Sequence, residues 1–239
     1  MPRGFSLHIG VDVRDPAYHQ VDLRRTRCVN DASAMYDIAS GRGLDATRLL
    51  NQQATGSRVL QWLADVAKAA RQDDYVVLTY SGHGEQVTDD PAVPELGGGS
   101  EPDGLDECWC LFDRRLIDDE LGVAWTAFSR GVRILLVSDS CSSGTMAETD
   151  AAAPGEVIAA SLISMSACAD NRLAFVGEHH GNFTQALLDV WARGAFTQGH
   201  RAFFDAIAAR MAGTPQTPVW GTLGPELPAF LRQTPFTPL

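Results

Sequence analysis

Apolar positions along the chain follow two different periods, and segments of the two kinds alternate. Residues 75–80 (YVVLTY) and 132–138 (VRILLVS) are almost continuously apolar, as strands are when both faces of a parallel sheet are covered. Residues 57–70 instead repeat apolar side chains every three to four positions, which is typical of a helix with one buried face. Strands and helices in alternation predict an open, mostly parallel α/β sheet.

Weaker patterns of the same two kinds predict the remaining elements. Further strands are predicted at residues 5–13, within 158–167 and at 219–222, and further helices at 30–40, 118–130, 184–193 and 201–212. Thr55 is a candidate N-cap for the helix at 57–70. Residues 85–104 and 145–155 are rich in glycine, proline, acidic or small residues, and both are predicted to be loops.

Composition and charge narrow the class of protein. The 239 residues include 45% hydrophobic and 21% charged residues, and 19 basic against 30 acidic residues give a net charge of −11. This balance argues against a general nucleic-acid-binding protein and suits cationic substrates or metal ions. No apolar run approaches the roughly 18 residues of a membrane span, and no signal-peptide core or disulfide pattern is evident. We expect a cytoplasmic monomer that binds neither nucleic acid nor membranes.

Residues able to catalyse a reaction follow the two most apolar strands. The segment SGHG, with His83, comes directly after residues 75–80, and DSCSSG, with Cys141, comes directly after residues 132–138. In open α/β sheets, functional residues lie at the carboxyl ends of the strands. We therefore expect His83 and Cys141 to lie close together, as a cysteine nucleophile and its histidine partner do. Taken singly, each would more simply be a structural residue.

With these two segments the chain resembles the caspase-like cysteine peptidases, in particular the metacaspases and the bacterial orthocaspases. The candidate histidine and cysteine are 58 positions apart, near the roughly 50 of caspase-type enzymes. Five further segments resemble this family in the same order: CVND at 28–31, DGLDE at 103–107, IDDE at 117–120, SACADN at 166–171 and GNFT at 181–184. One position departs from the pattern, because Ser142 stands where the family usually has a histidine.

The resemblance implies a fold and an organisation. The fold is caspase-like α/β, with a mostly parallel central sheet of about six strands and helices on both faces. A single catalytic domain covers residues 1–239, with a large-subunit-like part at 1–145, a linker at 146–156 and a small-subunit-like part at 157–239. The family is often made as a zymogen and cut in the linker. Because residues 145–155 contain no Lys or Arg, we expect either an upstream activating protease or no need for cleavage.

The resemblance also implies a reaction, the hydrolysis of proteins or peptides after a basic residue. Cys141 attacks the scissile carbonyl as a thiolate, and His83 takes up the thiol proton and returns it to the leaving amine. Backbone N–H groups of Gly84 and Cys141 form the oxyanion hole. The sequence offers no third residue that orients His83.

Specificity for arginine over lysine is expected from charge. In the family, the positions of Asp31 and Asp139, with Cys28 and Ser81 nearby, line an acidic pocket, and paired carboxylates suit a guanidinium group. As structural alternatives, Asp31 is an acidic residue favoured at a helix N-terminus and Asp139 is a turn carboxylate.

Calcium is the cofactor that the resemblance suggests. Asp106, Asp118 and Asp119 match metacaspase calcium ligands and Glu148 falls near the fourth, while Ca²⁺ needs six to eight oxygen ligands. The alternative is an acidic loop together with acids on the first turn of a helix.

Two cysteines, two histidines and two other functions are the remaining alternatives. Cys108 and Cys110 share one face of a strand and are more simply core than zinc ligands, and His179 and His180 are expected to be a surface pair. The alternatives to a peptidase are a catalytically silent caspase-like scaffold and another cysteine hydrolase on an α/β sheet.

Overall fold

The computed structural model describes residues 2–18, 27–88, 105–140, 157–167 and 179–238 of the chain. Within these ranges the strands are β1 (Gly4–Gly10), β2 (Asp45–Leu50), β3 (Tyr75–Ser81), β4 (Gly84–Thr88), β5 (Leu105–Cys110), β6 (Arg115–Ile117), β7 (Arg133–Asp139), β8 (Ser161–Ser166) and β9 (Val219–Leu223). The helices are α1 (Cys28–Gly41), α2 (Gly56–Ala69), α3 (Asp118–Thr126), α4 (Asn182–Trp191), α5 (His200–Met211) and α6 (Pro228–Arg232).

Six strands form the central sheet in the order β2-β1-β3-β7-β8-β9. All neighbours in it are parallel except β9, which runs antiparallel to β8. This confirms the predicted sheet of about six mostly parallel strands. Strand β7 precedes the expected linker at 146–156 and β8 follows it, so both parts of the chain contribute to one sheet. The edge strand β2 was not predicted, because its sequence DATRLL is largely polar and only Leu49 in it is buried.

Helices cover both faces of the central sheet, as predicted. Alternate residues of β3 supply the two cores: Val76 and Leu78 belong to the cluster that includes residues of α2 and α3, and Val77 to the cluster that includes residues of α1, α4 and α5. This alternation is the period of two expected of a strand buried on both faces. No helix in the described part of the chain is long and apolar enough to cross a membrane.

A second, antiparallel sheet of three strands has the order β4-β5-β6. Its first strand, Gly84–Thr88, corrects the predicted loop at 85–104 in its first four positions, where the polar sequence EQVT pairs with β5. Cys108 and Cys110 lie on β5 and are fully buried, which confirms them as core residues. Trp109 between them stacks on Tyr80 of β3, with ring centroids 4.5 Å apart. This contact joins the small sheet to the central one.

The helix ends follow local signals. Thr55 caps α2 as predicted, its hydroxyl oxygen accepting a hydrogen bond from the Arg58 N–H. Helix α3 ends at Thr126, four residues before the predicted end. Helix α5 ends at Met211, and Gly213 beyond it has the positive φ of +87° that favours glycine after a helix.

Helix α1 packs closely on the end of β1. A Cβ atom added to Gly10 would lie 2.5 Å from the carbonyl oxygen of Cys28 and 2.8 Å from the Cβ of Ala32. Gly10 also pairs with Ser81 of β3. The glycine therefore sets how near the first turn of α1 comes to the carboxyl end of the central strands.

We expect Gly10→Ala to lower the free energy of unfolding by about 1–3 kcal/mol, because the methyl group overpacks this contact. Urea denaturation of both proteins measures the change. Gly41→Ala is the matched control, since an added Cβ there meets no atom within 4 Å; it should be neutral or stabilising by up to about 1 kcal/mol. Equal stability of the two variants would contradict this account of the α1 contact.

Candidate active site

The candidate site lies at the carboxyl ends of β1, β3 and β7. Gly10 pairs with Ser81, and Ser81 pairs with Asp139, so three neighbouring strands end at the same level. His83 follows Ser81 by two residues, and Cys141 follows Asp139 by two residues. Cys141 itself lies outside the described residues, which reach Ser140 on this side. The strands that precede the candidate nucleophile and base therefore end side by side.

The backbone of His83 is held from two directions. Its carbonyl oxygen accepts hydrogen bonds from the Tyr80 hydroxyl at 2.8 Å and from the Cys110 N–H at 2.9 Å. A Cβ atom at Gly82 would lie 2.2 Å from the Tyr80 hydroxyl oxygen, so this tight turn requires glycine. Gly84, the proposed oxyanion donor, begins β4 and pairs with Trp109. The His83 side chain remains 37% exposed on this fixed backbone.

Glu85 places a carboxylate beside the candidate base, which the sequence reasoning missed. His83 Nε2 lies 3.3 Å from Glu85 Oε1. The same oxygen is 3.3 Å from a guanidinium nitrogen of Arg14, and Oε2 is 2.7 Å from Arg115. The hydrogen bond with His83 and the Arg115 guanidinium hold the pKa of Glu85 well below its usual range. The sequence signal that could have identified Glu85 is its position two residues after His83, because side chains two residues apart on extended backbone lie on one face.

Asp31 is buried in the first turn of α1. Its oxygens accept hydrogen bonds from the Ser81 hydroxyl at 2.7 Å and from the Gly181 N–H at 3.2 Å. His180 Nδ1 lies 2.7 Å from the same carboxylate, so the expectation that His180 belongs to a surface pair is wrong. Burial raises the pKa of Asp31 in spite of these donors.

Asp139 is the second buried acid, at the end of β7. Its Oδ2 accepts hydrogen bonds from the Thr184 N–H at 3.0 Å and from the Thr184 hydroxyl at 2.6 Å. Burial, and then the charge of Asp31, raise its pKa to about 7. Thr184 was not predicted as a site residue, although the GNFT segment that contains it was noted.

A single glycine separates the two acids. Gly181 donates its N–H to Asp31, and a Cβ atom built on it would lie 2.3 Å from Asp139 Oδ2. The structure therefore brings Asp31, Asp139 and Ser81 together, and their role in binding a substrate stays a prediction. Cys28, at the start of α1, is buried and donates its N–H to the Asp12 carboxylate at 2.8 Å, three residues before Asp31 along the helix.

Three of the four calcium candidates lie in the described part of the chain. Asp106 and Asp118 are buried and Asp119 is half-buried, and Asp118 Oδ1 accepts the Asp119 N–H at 3.1 Å. Glu148 lies outside the described residues. Among the residues whose structure is described, no three or more His, Cys, Asp or Glu side chains form a group that could hold a metal ion. The calcium site therefore stays a prediction.

Comparison with known proteins identifies the family of this chain. Residues 13–235 match the caspase domain family. Metacaspase-4 of Arabidopsis thaliana is 32% identical over 127 residues, covering 49% of this chain and 29% of that protein. Metacaspase-1 of Saccharomyces cerevisiae is 32% identical over 137 residues, covering 50% and 29%. The chain thus spans less than a third of the length of either metacaspase.

Solved structures show the same similarity. A Geobacter sulfurreducens protein of known crystal structure superposes with a TM-score of 0.85 at 36% identity, and each chain covers 100% of the other. Caspase-1 from Spodoptera frugiperda gives a TM-score of 0.65 at 14% identity, covering 99% of this chain and 92% of that one. The second likeness is one of fold alone.

We expect Asp139→Asn to stabilise the protein at pH 8 by about 1–3 kcal/mol and to lose that advantage near pH 4. The folded-state pKa of about 7 exceeds the ordinary 3.8. The wild-type fold therefore loses stability as the pH rises through this window, whereas the amide does not titrate. Chemical denaturation from pH 4 to 8 measures the difference.

The control for this pH series is Asp65→Asn, since the Asp65 side chain is 62% exposed. It should change the free energy of unfolding by less than about 0.5 kcal/mol. A difference between Asp139→Asn and wild type that is the same at every pH would show that burial does not raise the Asp139 pKa.

Proposed function

Since the chain belongs to the caspase-domain family, we propose that it is a cysteine endopeptidase with Cys141 as nucleophile and His83 as general base and acid. The observation that carries the proposal is the pairing of Ser81 with Asp139. His83 and Cys141 each follow one of these paired residues by two positions along the chain, and the pairing therefore supports their proximity. A nucleophile and its base need this proximity.

The reaction has two halves in this proposal. The Cys141 thiolate attacks the peptide carbonyl carbon, the C–N bond then breaks, and the His83 imidazolium protonates the departing amine. The resulting thioester is hydrolysed by a water molecule whose proton passes to His83. Backbone N–H groups of Gly84 and Cys141 stabilise the negative oxygen of each tetrahedral intermediate, each donor contributing about 3–4 kcal/mol to the barrier reduction.

The preferred substrate is proposed to carry arginine before the cleaved bond. Asp31 and Asp139 are both buried and both have raised pKa values, so each is an acid that lacks a cationic partner strong enough to offset its burial. A guanidinium group brings a full positive charge and several donors in one plane. Lysine brings a point charge with less directional hydrogen bonding, and the pocket therefore favours arginine.

Two regulatory features are proposed on the family resemblance. Cleavage between residues 145 and 155 would come from another protease, because that segment offers no Lys or Arg. Calcium would act through Asp106, Asp118, Asp119 and Glu148, and no step of the reaction above depends on it.

We expect the wild-type protein to cleave a fluorogenic arginine reporter faster than a lysine reporter and to leave an aspartate reporter intact. Cys141→Ala and His83→Ala should each lower the rate at least about 1,000-fold. The panel is run with and without Ca²⁺, and intact mass is measured before and after. Activity only on the aspartate reporter would refute the acidic pocket, and full activity in Cys141→Ala would refute the nucleophile. A folded wild type inactive on all reporters would favour the scaffold alternative.

The contribution of Asp139 to arginine binding should depend on pH. The wild-type kcat/KM on the arginine reporter, divided by that of Asp139→Asn, should be at least about 10 at pH 8 and fall towards 1 below pH 7, where Asp139 takes up a proton in the wild type. Taking this ratio cancels the titration of the catalytic groups. A ratio near 1 at pH 8 would remove Asp139 from the pocket.

A further inference from the structure

We infer that Glu85 is a positioning residue whose carboxylate orients the ring of the catalytic His83 and stabilises its charged imidazolium form. The proposed dyad then becomes a Cys141–His83–Glu85 triad. The inference rests on the proposed function, because it assigns a role to Glu85 only if His83 serves as the base. Its physical basis is the 3.3 Å approach of Glu85 Oε1 to His83 Nε2.

The contact fixes which nitrogen of the ring carries the proton. An ionised carboxylate only accepts hydrogen bonds, so Nε2 must be the protonated nitrogen in its contact with Glu85. The neutral imidazole then has its lone pair on Nδ1. Nδ1 is therefore the nitrogen whose lone pair can take the thiol proton, and Glu85 selects the tautomer that can do so.

Glu85 is built to remain ionised. Arg14, whose side chain is 3% exposed, contacts the same oxygen as His83, and Arg115 contacts the other oxygen. The Glu85 side chain is itself only 21% exposed. A carboxylate between two guanidinium groups keeps its charge over the whole working range of a cysteine peptidase. Glu85 can thus stabilise the imidazolium that forms when the thiol gives up its proton.

The backbone around Glu85 gives this contact a rigid frame. Glu85 lies on β4, pairs with Cys108 of β5, and accepts a hydrogen bond at its carbonyl oxygen from the Cys108 thiol at 3.2 Å. The carbonyl of His83, two residues earlier, is fixed by Tyr80 and Cys110. Both partners of the Nε2–Oε1 contact are therefore held by the same small sheet. A purely structural reading would make Glu85 only a bridge between Arg14 and Arg115.

The test removes the negative charge of Glu85 and keeps the shape of its side chain. We expect Glu85→Gln to lower kcat on the arginine reporter about 10- to 100-fold with KM changed less than threefold. This is less than the roughly 10⁴-fold loss on neutralising the buried aspartate of a serine-protease triad, because Glu85 is partly exposed. The rate of Cys141 alkylation by iodoacetamide at pH 7, read on the Cys141 peptide by mass spectrometry, should fall at least about threefold.

A matched control separates the histidine contact from loss of an ion pair. Glu120 is 29% exposed and contacts Arg114 at 2.7 Å, so Glu120→Gln makes the same chemical change away from His83. Its kcat and alkylation rate should equal those of wild type. Glu85→Asp keeps the negative charge between the arginines but shortens the side chain. It should stay folded and still lose kcat, which covers the case in which Glu85→Gln does not fold.

The double variant Glu85→Gln/Arg115→Gln decides between the two roles. If Glu85 only balanced the charge of the arginines, removing one of them would restore kcat towards the wild-type value, and the inference would be overturned. If Glu85 positions His83, kcat stays as low as in Glu85→Gln. A kcat of Glu85→Gln within threefold of wild type would equally overturn it.

Failure of the proposed function would give a different set of activity results from failure of the Glu85 inference. In that case the wild type and Cys141→Ala would both be inactive on every reporter, and the alkylation rates alone would judge the inference. A slower alkylation of Cys141 in Glu85→Gln would support the Glu85 role, and an unchanged rate would overturn it.

Discussion

Parallel pairing of β3 with β1 on one side and β7 on the other is the constraint on which the candidate site depends. Every residue of β3 and β7 is buried, and their side chains alternate between two apolar cores. A shift of register by one residue would exchange the two faces of a strand, so the apolar cores fix the register. The fixed register then sets Gly10, Ser81 and Asp139 level with one another. Polar contacts then hold the residues at these strand ends, such as those of Tyr80 and Cys110 with the His83 carbonyl.

Three carboxylates lie near this edge of the sheet, and their surroundings shift their pKa values in opposite directions. Asp31 and Asp139 are surrounded by neutral donors and His180, and burial dominates and raises the pKa of both. Glu85 faces His83, Arg14 and Arg115, and its pKa is lowered. The raised pKa values of the first pair support the proposed arginine pocket, and the lowered pKa of Glu85 supports the charged state that its proposed role requires. Carboxylates with pKa values pushed apart in this way mark distinct functions in one site.

The small sheet β4-β5-β6 connects His83 to the rest of the molecule. Tyr80 of the central sheet stacks on Trp109 of the small sheet and also donates its hydroxyl to the His83 carbonyl. Gly82 permits the close turn between the two sheets. The backbone of His83 is thus held by buried aromatic packing and hydrogen bonds, while its side chain stays 37% exposed.

The sequence by itself determined the mostly parallel sheet and the two strands that precede His83 and Cys141, because long apolar runs are local signals, and its resemblance to a family pointed to the acids Asp31 and Asp139. Only the tertiary structure decided that β2 and β4 are strands, that His180 contacts Asp31, and that Glu85 lies between His83 and two arginines. Arg14 is 71 positions from Glu85 and His180 is 149 positions from Asp31. Polar contacts between such distant residues leave no periodic trace along the chain, since their spacing is set by how the apolar elements pack and not by the residues that meet.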